Sequence, residues 1–192
     1  LIVDQKVDHH RPNWGIASLP NLESKFVAAN SLLGIEKPDL VAGHQMALGD
    51  NTIEEIQREL FLIRGNYFNA HTREQKIAFR HQDKELRNNL AKELEQFGWS
   101  TTSAKRLAAW DPYAQNVSAD FFDPIWIFGI NSGFDIVIAN PPYITYKGKQ
   151  KIKSSKEYIK NLLNNFPNSA EYKINSFALF IDKGLRLMAQ NG

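Results

Sequence analysis

Asn140-Pro141-Pro142-Tyr143 closes an apolar run in the stretch GFDIVIANPPYITY, Gly133 to Tyr146. The two prolines fix φ and carry no N–H, so the turn is stiff and its carbonyls are free acceptors. The residue before a proline is pushed towards an extended conformation. Such a loop presents the Asn140 amide oxygen, a backbone carbonyl and the Tyr143 ring to one point. A planar group bearing an NH₂ suits it: one hydrogen goes to Asn140 Oδ1, the other to the Pro141 carbonyl, and Tyr143 stacks on the ring. Pulling those hydrogens out of plane localises the nitrogen lone pair and makes the nitrogen a usable nucleophile. The stabilisation acts mainly in the transition state, where catalysis needs it. An electrophilic methyl on a sulfonium ion is a fitting partner.

The elements around this loop must hold it still. Phe134 to Ala139 is a run rich in β-branched residues and apolar but for Asp135, which predicts a strand buried on both faces, as in a parallel sheet. Helices cover such strands, so the expected class is α/β. In those sheets ligands sit beyond the carboxyl ends of the strands, where Asn140 would lie. Lys25 to Ala29 reads as a second short strand, followed by a polar turn at Asn30-Ser31. Asn175 to Met188 reads as an amphipathic helix with Phe177, Phe180, Ile181, Leu185 and Met188 on one face.

Residues 50–98 read as a helical hairpin inserted into that framework. Asn51 with Glu54 makes one capping box and Thr72 with Gln75 another. Ile53, Ile56, Leu60, Ile63 and Tyr67 recur at helical spacing, a break is expected at Gly65-Asn66, and a second stripe runs from Ile77 to Phe97 until Gly98 stops it. The charged residues of the hairpin read as a solvated face. Ala119 to Gly133 reads as a packed, irregular connector, with Asp123-Pro124 as a turn.

The chain has 192 residues, 43% of them hydrophobic and 23% charged, which fits a folded globular protein. It has no cysteine, which excludes disulfides and thiolate metal sites and fits a reducing, cytoplasmic setting. No apolar run approaches the roughly 20 residues that span a bilayer. His9, His10, His44, His71 and His81 form no metal-binding pattern, so no metal is expected. The net charge of +2 argues for no particular partner. Its distribution does: YKGKQKIKSSKEYIK, directly after the loop, holds six lysines and one glutamate. Lys147, Lys149, Lys151 and Lys153, with Lys156 and Lys160, are candidate phosphate contacts, against the plainer reading of a solvated face.

The segment DIVIANPPY resembles the catalytic motif of S-adenosylmethionine-dependent amino-methyltransferases, [DNS]-P-P-[YFW]. The longer run ADFFDPIWIFGINSGFDIVIANPPYI resembles the adenine-specific (N6) DNA methyltransferases of the type IIG restriction–modification family. AANSLL stands where that family has a Gly-Asp-Ser-Leu-like turn, and NSFALFIDKGLRLM matches the segment that follows the motif. The resemblance implies part of a Rossmann-like methyltransferase sheet, S-adenosylmethionine as cofactor and double-stranded DNA as partner. It implies that Asn140 and Pro141 hold the target amine, that Tyr143 stacks on a flipped-out base, and that Asn30 contacts the cofactor's adenine in place of the family's aspartate. The family's glycine-rich cofactor turn and its target-recognition domain have no counterpart here. The chain is therefore expected to be a partial methyltransferase domain, with 134–192 as its catalytic-loop region, working with other domains of a longer protein and inactive in isolation. The alternatives are a methyltransferase for a protein glutamine amide or an RNA base amine, and a non-catalytic DNA-binding or assembly module of a larger defence protein.

Overall fold

The computed structural model describes residues 7–16, 20–37, 49–146, 155–170 and 174–189. Among them run six α-helices: α1 (Gly49–Phe68), α2 (Arg73–Gln96), α3 (Thr101–Ala109), α4 (Pro124–Phe128), α5 (Lys156–Asn165) and α6 (Ser176–Leu187).

α1 and α2 pack against each other along the segment expected to be a hairpin. The Thr72 hydroxyl accepts from the Gln75 N–H, and the Gln75 side chain accepts in return from the Thr72 N–H, so the capping box at the start of α2 is complete. Gly98, with φ +83°, ends the helix in a backbone conformation that costs glycine little. Two details differ from expectation. Asn51 lies inside α1, which begins at Gly49, and α1 runs through Gly65-Asn66 without a break. One helical glycine costs only about 1 kcal/mol, and packing against α2 outweighs it. The solvated-face expectation also fails at its centre. Asp83 is fully buried, and its two oxygens accept from Arg64 Nε on α1 and Arg87 Nε on α2, each at 3.0 Å. Arg87 reaches on to the Ala108 and Trp110 carbonyls, and Arg64 to that of Trp126, so one buried carboxylate ties α1, α2, α3 and α4 together.

Asp123-Pro124 is a helix start. The Asp123 carboxylate accepts from the Ile125 and Trp126 N–H groups, and Pro124 takes the first helical position, where its missing N–H costs nothing. Phe121, Trp126 and Ile127 then join Leu60, Leu90, Leu94 and Leu107 in one core. A second core gathers Leu32, Leu162, Phe166, Ala170, Ile174 and Leu179 between α5, α6 and the chain after Asn30.

The expected α/β class, with its Rossmann-like sheet, is not what the described residues form. They hold no sheet, only three isolated bridges: Ala29 with Ala119 and Phe134 with Met188, both parallel, and Thr145 with Asn175, antiparallel. The physical reason is pairing. A β-prone run becomes a strand only when a neighbouring ladder takes up its N–H and C=O groups and its faces are covered. The run after Gly133 is hydrogen-bonded at Phe134 alone, through the Leu187 carbonyl and the Ala189 N–H. Beyond it Ile136 and Ile138 stand 75% and 91% exposed, where burial on both faces was expected.

Candidate active site

The site is built from the end of this extended run and the start of α6. Asn140 is exposed and Pro141 half-buried. The Ile144 N–H donates to the Pro142 carbonyl at 3.0 Å, which places Tyr143 at the corner of a three-residue turn. A ring at such a corner points outward, and Tyr143 is 88% exposed. It meets one aromatic neighbour. Its ring lies 6.2 Å from that of Phe177, centroid to centroid, and 12° from parallel.

Helix α6 holds the turn from below. Asn175 caps the helix by accepting from the Phe177 N–H at 3.0 Å. Ser176, fully buried, donates its hydroxyl to the Pro142 carbonyl and accepts from the Ile144 N–H at 2.9 Å. Its own N–H donates to the Ile144 carbonyl, and the Tyr146 N–H to the Ile174 carbonyl, both at 2.9 Å. The sequence pattern gave no weight to Ser176; a hydroxyl directly after a capping asparagine was the available signal.

The rest of α6 differs from expectation in which side it buries. Ser176 and Leu179 are the buried residues, whereas Phe177, Ile181, Leu185 and Met188 are substantially exposed. Together with Val137, Ala139 and Pro141, these four residues line an apolar groove of about 270 Å³ beside the turn. Helical spacing defines a stripe but not which stripe meets a neighbour, and here the smaller Ser176–Leu179 side meets the core.

The far end of α6 is fixed by charge. Asp182 accepts from the Ser169 hydroxyl and from Arg186, and Arg186 also donates to the Asn165 carbonyl at the end of α5. Burial pushes the Asp182 carboxyl up, but the Ser169 and Arg186 hydrogen bonds and the Arg186 charge outweigh it and hold the group below the ordinary 3.8. Near the turn, Tyr146 packs against Tyr158 at 5.7 Å, and burial, then the Tyr158 hydroxyl, push its phenol up to about 12.

Asn30 does not line the groove. It sits in the expected polar turn: its carbonyl accepts from the Leu33 N–H and its Oδ1 from the Leu32 N–H, both at 3.2 Å. Its oxygen is thus partly committed, with a second lone pair remaining. Leu32, two residues on, shares the second core with Leu179 of α6, so the Asn30 turn and the Asn140–Tyr143 turn hang on the same packing. Lys147, Lys149, Lys151, Lys153 and His44 lie outside the described residues; Lys156 and Lys160 stand exposed on α5. Among the described residues no group of three or more His, Cys, Asp or Glu side chains could hold a metal ion, and no helix is long and apolar enough to cross a membrane.

A family model described as Eco57I restriction-modification methylase matches residues 23–192. No curated protein and no solved structure matches the chain.

Proposed function

The chain belongs to the Eco57I restriction-modification methylase family, and from that premise we propose that it carries the loop that methylates the N6 amine of adenine in DNA. The observation that supports this most is the exposed Asn140–Tyr143 turn. Its prolines cannot donate, its Pro142 carbonyl is occupied by Ser176 and Ile144, and Asn140 Oδ1 and the Pro141 carbonyl are the acceptors proposed for the amine. An exocyclic amine offers two hydrogens to those two acceptors. Cytosine and glutamine amines have the same hydrogens, but a purine offers Tyr143 the larger stacking face.

The proposed methyl donor is S-adenosylmethionine, which when bound supplies an electrophilic methyl group on sulfur. The residues present fit a contact to its adenine: the Asn30 oxygen keeps one lone pair after the Leu32 N–H has used the other. Asn140 and Pro141 orient the target amine. Tyr143 receives the base once it leaves the duplex, a step that costs a few kcal/mol and that stacking offsets in part. Lys147, Lys149, Lys151 and Lys153 follow the loop in sequence and are the proposed contacts to the flanking phosphates. Alanine at all four is then expected to lower the salt dependence of DNA binding.

Incubation of the intact enzyme with methyl-labelled donor and duplex DNA, followed by nucleoside chromatography, tests the proposal. Label in N6-methyladenine is the expected result. Label in methylated cytosine, or transfer only to glutamine peptides or RNA, would refute it.

A further inference from the structure

The geometry points to Ser176 as the residue that positions the catalytic turn, a role that rests on the function proposed above. Ser176 touches no substrate in this account; it acts through the turn. Three of the turn's backbone groups end on this one residue. The Pro142 carbonyl accepts its hydroxyl hydrogen, the Ile144 N–H donates to its oxygen at 2.9 Å, and the Ile144 carbonyl accepts its N–H at 2.9 Å. The first N–H groups of a helix have no partner within the helix, so α6 begins by spending its first donor on the loop. The hydroxyl is fully buried, and both its donor and its acceptor capacity are used.

Two consequences follow for the chemistry. The Pro142 carbonyl takes hydrogens from both Ser176 and Ile144, which uses both its lone pairs and removes it as an acceptor for a substrate amine. The turn that throws Tyr143 outward is also held on both sides of that residue, at the Pro142 carbonyl and at Ile144, which sets the backbone from which the ring reaches Phe177, 6.2 Å away. Without the hydroxyl, the Pro142 carbonyl and the Ile144 N–H keep only their mutual bond of 3.0 Å, and the turn is left tied to the start of the helix by the Ser176 N–H to the Ile144 carbonyl, at 2.9 Å.

The test compares wild type, Ser176→Ala, Ser176→Thr and Asn140→Ala in the intact enzyme. Two quantities are read: single-turnover methylation of an adenine duplex, counted per site that binds labelled donor, and hydrogen exchange of the Ile144 amide. Counting per binding site removes any loss of folded protein. In Ser176→Ala the rate per site is expected to fall at least tenfold, and Ile144 exchange is expected to quicken. Ser176→Thr, which keeps both hydrogen bonds, is expected to recover most of each. Should Ser176→Ala fail to fold, Ser176→Cys takes its place, because it keeps the volume and weakens both bonds. A wild-type rate per site and wild-type exchange in the variant that folds would overturn the positioning role. Wild-type enzyme that leaves adenine unmethylated, just as Asn140→Ala does, would instead sink the proposed function; the Ile144 exchange then still decides the role of Ser176 in holding the turn.

Discussion

The ring of Tyr143 lies 12° from parallel to that of Phe177, with centroids 6.2 Å apart, and Phe177 in turn lines an apolar groove. Tyr143 is otherwise almost free of the protein, at 88% exposure. A large ring left in water beside two stiff prolines gains little for the fold, which leaves it available for the stacking role proposed for it.

Tyr143→Ala therefore separates binding from folding. Stacking on an aromatic side chain is worth roughly 1–3 kcal/mol per base, so capture of an extruded base should weaken by that amount. The melting temperature should hardly move, because little buried contact is lost. A duplex carrying 2-aminopurine at the target position reports the capture as a rise in fluorescence. That rise should be smaller with Tyr143→Ala and close to normal with Tyr143→Phe, and donor affinity should be the same in all three proteins.

The Arg64–Asp83–Arg87 group makes the opposite prediction. Asp83 is sealed from water with two guanidinium partners, at side-chain exposures of 10% and 6%. Removing the carboxylate leaves two buried cations facing each other, and breaking a buried pair costs about 3–5 kcal/mol. Asp83→Ala should thus lower the midpoint of urea unfolding sharply, and Asp83→Asn should do so less. Replacing the exposed Glu85, which pairs with the equally exposed His81, should leave the midpoint in place.

How far the sequence discloses this molecule depends on the range of the forces involved. Proline geometry is covalent and local, so the stiffness of Asn140–Tyr143 can be read from four letters. The Thr72–Gln75 box and the stop at Gly98 are equally local, and both are present. A sheet is not local. Phe134–Ala139 has, apart from Asp135, the apolar and β-branched character of a buried strand, yet pairing depends on what lies beside it, and only Phe134 is bridged. The Asp83 network is hidden for a similar reason: its three members come from two helices, and nothing in the spacing of Arg64 shows that it meets Asp83. On α6 the period was legible and the buried side was not, because Leu179 and Ser176, not Phe177 and Ile181, turn to the core.

Acid should act on α6. The Asp182 carboxyl is held below its ordinary 3.8, so the folded state binds its proton less readily than the unfolded chain does. Its contribution to stability is complete above that ordinary value and is lost as pH falls through the depressed one. Thermal melting recorded from pH 6 downward should show wild type losing stability below about pH 4. Asp182→Asn, which starts lower, should show less of that loss. Parallel curves for the two proteins would remove Asp182 as the source.

The central claim is that Asn140 and Pro141 hold an adenine amine for methylation, and Asn140→Ala tests it most directly. Asn140 is exposed, so the substitution should leave melting and donor binding as they are. The measurement is transfer of labelled methyl to adenine-containing duplex by the intact enzyme, wild type against Asn140→Ala. Wild type should give N6-methyladenine and the variant at least a hundredfold less, the scale of removing one preorganised polar contact to a reacting group. Equal transfer by the two proteins would contradict the claim.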